Sequence, residues 1–141
     1  MIQQISIILD NVPGALTKLL DILDTEDIKT KAISAASTKE HSTLRLVVND
    51  PQKAVTTLRS FNFNVQVSPV IAVEVPTHPG GMNAIVKPLA EGEVNILYIY
   101  TTIERIGKET ILIIGCEPLD RAIAILKQQW VNFVGDEIYS L

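Results

Sequence analysis

The chain has 141 residues, 47% hydrophobic and 20% charged, with a net charge of −4. That is the composition of one ordinary folded domain or two small ones; it excludes a disordered segment and the basic footprint of a nucleic-acid binder. Cys116 is the only cysteine. It excludes an intrachain disulfide and points to a reducing cytoplasm, and neither a leader peptide nor a membrane span is expected.

The first half opens with an Ile-rich strand, residues 3–9, which runs into Asp10-Asn11-Val12-Pro13-Gly14. Pro fixes one backbone angle and Gly permits a sharp turn. Over 15–25, Leu16, Leu19, Leu20 and Leu23 make one helical stripe, with Lys18, Asp21 and Asp24 turned away. Residues 27–37 read as a weak strand, with Lys29 and Lys31 on a solvated edge, and 38–41 as a polar hairpin tip. Residues 42–48 alternate, Leu44, Leu46 and Val48 on one face and Thr43, Arg45 and Val47 on the other. Asp50 and Pro51 form a helix start, followed by an expected buried stripe of Ala54, Leu58 and Phe61. A short strand, 64–69, completes the unit.

The second half repeats the order. A strand over 70–75 leads into Pro76-Thr77-His78-Pro79-Gly80-Gly81-Met82. The helix over 81–91 carries Met82, Ile85, Val86 and Leu89. Pro88 inside it predicts a kink or an early end near Lys87, since an interior proline costs about 3 kcal/mol. Strands over 95–102 and 109–116 flank a loop, 103–108, that turns at Gly107. Pro118 opens a last helix, with Leu119, Ala122, Ile123, Leu126 and Trp130 expected inward. Residues 137–141 are expected to close the sheet.

Pro13 and Pro79 are 66 residues apart, as are Gly14 and Gly80; Asp50-Pro51 answers Glu117-Pro118 at 67, and Leu58 answers Leu126 at 68. The expected architecture is therefore α+β: two ferredoxin-like βαββαβ units, residues 1–69 and 70–141, with antiparallel sheets and helices on one face. Residues 95–100 and 111–114 are apolar on both faces, so the second sheet should be covered on its far side by the first unit or by another chain.

Two stretches carry a family resemblance. Asn11-Val12-Pro13-Gly14-Ala15-Leu16 matches Asn-x-Pro-Gly-x-Leu, and Gly92-Glu93-Val94-Asn95-Ile96 matches Gly-x-Val-Asn-Ile. With the repeat and the element order, the chain resembles a stand-alone tandem ACT-domain protein over its whole length. The resemblance implies an amino-acid-binding regulatory protein, homodimeric and non-catalytic, acting on a partner enzyme. It implies a ligand held by a loop of one module and strand residues of its neighbour. The halves depart from the pattern differently: Lys29 stands where the strand asparagine is common, and Thr77 where the loop asparagine is.

On that resemblance, backbone N–H groups at Gly14, Ala15, Gly80 and Gly81 would take the ligand carboxylate. Carbonyl oxygens of the Val12 turn, Asn11 and Asn95, with Asp10 adding charge, would take the ammonium. Leu16, Met82, Ile96 and Tyr98 would set side-chain preference, and His78 would lie within reach of the carboxylate. No cofactor or metal is expected. Acylphosphatase shares the element order, but it cradles phosphate with a loop arginine, and no arginine precedes Arg45. Tyr98 and Tyr100 lack the basic neighbours an RNA-binding sheet would need. The rival reading is an interaction module without a small-molecule ligand.

Overall fold

The computed structural model describes residues 1–107 and 109–141. Its elements run β1 (Ile2–Asp10), α1 (Ala15–Thr25), β2 (Thr30–Ser37), β3 (His41–Val48), α2 (Pro51–Ser60), β4 (Val65–Val75), α3 (Gly81–Glu91), β5 (Asn95–Thr101), β6 (Thr110–Glu117) and α4 (Leu119–Gln128). A 3-10 helix, Asp136–Ser140, ends the chain. The strands form one antiparallel six-stranded sheet in the order β2-β3-β1-β4-β6-β5.

The expected strands over 64–69 and 70–75 are a single strand, β4. Its first half pairs with β1, from Val65 opposite Ile7 to Val70 opposite Ile2, and its second half with β6, from Ile71 opposite Ile114 to Val75 opposite Thr110. Pro69, where the first expected strand was to end, stands opposite Gln3, whose N–H donates instead to the Tyr139 hydroxyl at 2.9 Å. A proline fits there because the ladder asks no N–H of it.

The odd positions of β4 face the helices throughout. Val65 joins a core with Leu19 and Leu23 of α1 and Ala54 and Leu58 of α2. Ile71, Val73 and Val75 join a second with Ile85 and Leu89 of α3 and Ala122 and Leu126 of α4. All four helices therefore lie on one face of the sheet. A third core fills the other face: Ile2, Ala32, Val47, Val70, Ala72, Tyr100, Ile111 and Ile113, closed by Val134 and Ile138. The sheet curls around it until its outermost strands touch, with Ala32 bridging Thr102 and Ile103 N–H donating to the Lys31 carbonyl at 2.8 Å. This accounts for the apolar run in β6: Leu112 and Ile114 pack on helices, and Ile111 and Ile113 on the first half of the chain.

Several expectations need correction. Residues 137–141 do not close the sheet; Phe133 makes a single bridge to Val73, and the tail folds as the 3-10 helix with Ile138 buried. Helix α3 does not end early, since it continues three residues past Pro88 to Glu91. Phe61 and Trp130 do not point inward, being 55% and 91% exposed. All four helices finish alike, on a left-handed residue that is not glycine: Asp27, Asn62, Glu93 and Trp130, with φ between 57° and 67°. After each, an apolar residue donates its N–H back to a buried leucine: Ile28 to Leu23, Phe63 to Leu58, Val94 to Leu89 and Val131 to Leu126. This reversal throws Phe61 and Trp130 outward. Nor is Lys31 solvated. It is 5% exposed beside Lys29, which pairs with Glu104 at 2.9 Å. Burial, and then the Lys29 charge, hold the Lys31 ammonium below its ordinary pKa. The end of the expected 103–108 loop, at Lys108, lies outside the described residues.

Candidate functional site

The two Pro-Gly turns share one backbone. Gly14 and Gly80 cap α1 and α3 with φ of 85° and 88°, a left-handed conformation that suits glycine. Neither first turn has a side-chain cap or an acidic residue. Helix α2 differs, because Asp50 accepts from Lys53 N–H at 3.1 Å. The Ala15 N–H, however, donates to the Val12 carbonyl at 3.3 Å and the Gly81 N–H to the His78 carbonyl at 3.1 Å, so these two expected carboxylate donors are already engaged. The rest of each first turn and the positive end of the helix dipole remain for something else.

At the first turn, Asn11 is fastened to the β2–β3 tip twice. Its backbone N–H donates to Glu40 at 3.1 Å and its side-chain amide to the Thr38 carbonyl at 2.9 Å. A cavity of about 210 Å³ lies beside it, walled by Asp10, Asn11, Val12, Ala15 and Leu16 together with Ala35, Ser37 and Ser42 of the strands. Gly14 lies on the outer side, on a groove of about 570 Å³ along α1 that reaches Phe61.

At the second turn, Thr77 makes no such bond, and His78 Nδ1–H donates back to the Pro79 carbonyl at 2.9 Å. Gly81 is buried against Pro76; a Cβ there would overlap the Pro76 carbonyl. Met82 opens onto a cavity of about 550 Å³ with Val86, Ile99, Tyr100, Thr101 and Leu112, to which β2 contributes Ile33. His78, Gly80 and Gly81 are absent from its wall. Leu16 and Met82, and Ala35 and Thr101, correspond at the 66-residue offset.

The structure thus gathers Asp10, Asn11, Val12, Ala15 and Leu16 at one cavity and brings Met82 to another. Asn95 and Ile96 line neither. Asn95 is exposed opposite Glu117 at the start of β5. It is separated from the Pro-Gly turn by the length of α3, about 16 Å at 1.5 Å per residue. Ile96 packs at the margin of the second core. Tyr98 lies on the inner face of the sheet, where its ring carries the Arg45 guanidinium 4.0 Å from its centroid. Arg45, Gln4 and Gln66 were not singled out by sequence. Their signal was the polar phase of alternating strands, Gln4 and Ser6 in β1 and Thr43 and Arg45 in β3.

The remaining reactive groups are placed by the fold. Burial pushes the Cys116 thiol up, and the residue belongs to the second core. Burial first, and then Tyr98, raise the Tyr100 phenol above its ordinary value; its hydroxyl donates to Gln4 Oε1 at 2.6 Å. Among the described residues, no three His, Cys, Asp or Glu side chains gather to hold a metal ion, and no helix is long and apolar enough to cross a membrane.

Repeated β-α-β-β-α elements on one antiparallel sheet, each with an uncapped Pro-Gly helix start, define a tandem ferredoxin-like protein. The chain belongs to the ACT domain pair family, whose model matches residues 1–140. No curated protein matches it. Among solved structures it is similar to protein BT0572 from Bacteroides thetaiotaomicron, at 28% identity and a TM-score of 0.90 over 99% of this chain and 96% of that one. It is also similar to the ligand-free regulatory subunit of aspartate kinase from Thermus thermophilus, at 19% identity and a TM-score of 0.64 over 91% of each chain. The corresponding subunit from Thermus flavus gives 19% and 0.59 over 91% of this chain and 92% of that one.

Proposed function

We propose that this protein is a non-catalytic, amino-acid-binding regulatory protein that acts in trans on a partner of amino-acid metabolism. The observation that carries the reading is the pair of uncapped glycine helix starts, each followed by a residue that opens on a cavity, Leu16 and Met82. A carboxylate replaces the missing cap at such a start, and an ammonium beside it finds Asp10 and the loop carbonyls at the first turn. The regulatory subunits of aspartate kinase with this fold support the same role. Residues 1–69 and 70–141 act as two modules that share β4, in a cytoplasmic homodimer.

Exposed Ile8, Leu97, Ile99 and Ile103 favour a second reading, an interaction module without a small-molecule ligand. A thermal-shift screen of the full chain against the twenty amino acids separates the two. A ligand at 100 times its Kd raises folding stability by about 2.7 kcal/mol. The expected result is a shift for one or a few amino acids, lost in Asn11→Ala or in Met82→Asp. A flat screen overturns the binding reading in favour of the interaction module.

A further inference from the structure

The inner face of the sheet changes character along its length. Toward the 3-10 helix it is the apolar third core. Toward the far ends of β1 and β3 it opens into a cavity of about 310 Å³, separate from both Pro-Gly turns. Of the described residues that line it, Arg45 alone carries a charge. Among the described residues no carboxylate lies within ion-pair distance of Arg45, and its guanidinium donates no hydrogen bond to the protein. Its place is set by stacking on Tyr98.

Tyr98 is itself fixed at its hydroxyl and under its ring. Its hydroxyl accepts from Gln4 Nε2 at 2.8 Å. Gln4 is fully buried, and its Oε1 accepts from Tyr100, so the amide cannot turn away. The ring lies over Gly115 of β6, where a Cβ would overlap it. Glycine weakens a strand interior and often marks a close approach; here the approach is the Tyr98 ring. The fork of Arg45 is therefore aimed before any ligand arrives, and an aimed, unpaired guanidinium in a recess matches a planar carboxylate.

We infer that this recess binds a small carboxylate that carries no amine, of the 2-oxo acid class. One cation balances one anion, so a phosphate dianion would be left with uncompensated charge. The wall holds no carboxylate, so the ammonium of an amino acid would sit beside Arg45 without a counter-ion. Ser6, Thr43, Gln66 and Ser68 offer neutral hydrogen-bonding groups for a keto oxygen, and Ile8 and Leu97 offer apolar surface for a short alkyl chain. The site is independent of the amino-acid reading of the turns.

Matched probes test it. Pyruvate and L-alanine, and 3-methyl-2-oxobutanoate and L-valine, differ in the oxo group against the amine. Calorimetric titration of the full chain should show binding of an oxo acid that neither its amino counterpart nor inorganic phosphate displaces. Arg45→Gln should weaken that binding at least tenfold. Arg45→Lys keeps the charge and loses the fork, and should weaken it less. Gly115→Ala, which displaces Tyr98, should weaken it while leaving the protein folded by thermal melt. Arg121→Gln, an exposed arginine lost from α4, should leave it unchanged. The inference is overturned if no oxo acid binds the native chain, if Arg45→Gln binds as well as the native chain, if phosphate binds more tightly, or if alanine or valine displaces the oxo acid.

Discussion

The two Pro-Gly turns keep one backbone and have lost their common surroundings. Both glycines sit at nearly the same φ, and both helices start without a cap. The first turn is lashed to the β2–β3 tip by Asn11 and faces a small, partly polar cavity. The second has Thr77 in that position, presses Gly81 against Pro76 and faces a larger apolar cavity. A duplicated frame has preserved the turn, with its first helical N–H bonded back to the loop in both copies, while the side chains around it diverged. The two cavities are thus not interchangeable, the first being smaller and more polar in its walls than the second.

Substitutions can break or sharpen that comparison. Gly81→Ala should be the most damaging, costing about 2–3 kcal/mol, because the added Cβ meets a backbone carbonyl that cannot swing aside. Ala already stands at the matching position, Ala15, so a cost below about 0.5 kcal/mol in urea unfolding would make the turns alike after all. Gly14→Ala and Gly80→Ala meet open space and should each cost about 1–2 kcal/mol through φ alone. Equal costs would show one shared backbone, and unequal costs would break it. Asn11→Ala should lose about 1 kcal/mol with its bond to Thr38, while Thr77→Ala stays within about 0.5 kcal/mol. The smallest effect compares helix ends. Asn62 and Trp130 hold the same left-handed position, which asparagine tolerates and tryptophan does not. Trp130→Asn should therefore raise the stability of the native chain by about 0.5–1 kcal/mol in the same assay.

Local patterns revealed much of this molecule. The stripe of Leu16, Leu19, Leu20 and Leu23 placed α1 with both its ends, and Asp50-Pro51 placed the start of α2, because caps and 3.6-residue periodicity are written within one turn of chain. The halves resembled each other because their turns are local too. The union of 64–69 with 70–75 could not be read, since it depends on β1 and β6 taking opposite edges of one strand around Pro69. Periodicity carried Phe61 and Trp130 into the core because nothing in a non-glycine sequence announced the left-handed residue that ends each helix. The fate of 137–141 was equally hidden, because Phe133 already occupies the edge that an extended tail would need. The Asn11 cavity was legible and the Arg45 recess was not. The first centres on one stretch, residues 9–16, backed by β2 and β3, and the second is built from β1, β3, β4 and β5 meeting on a curled face.

Strand β4 also restricts how this gene can change. Side chains alternate along it, and its odd positions face helices in both halves. One residue inserted near Pro69 would exchange inside for outside in everything that follows, burying Glu74 among helices and turning Ile71 and Val73 away from them. Two residues would restore the phase but shift the rungs between β1 and β6. Most tandem proteins can lengthen or shed the joint between their repeats; this one has no joint to edit, and its halves can drift apart in sequence only while they keep count together.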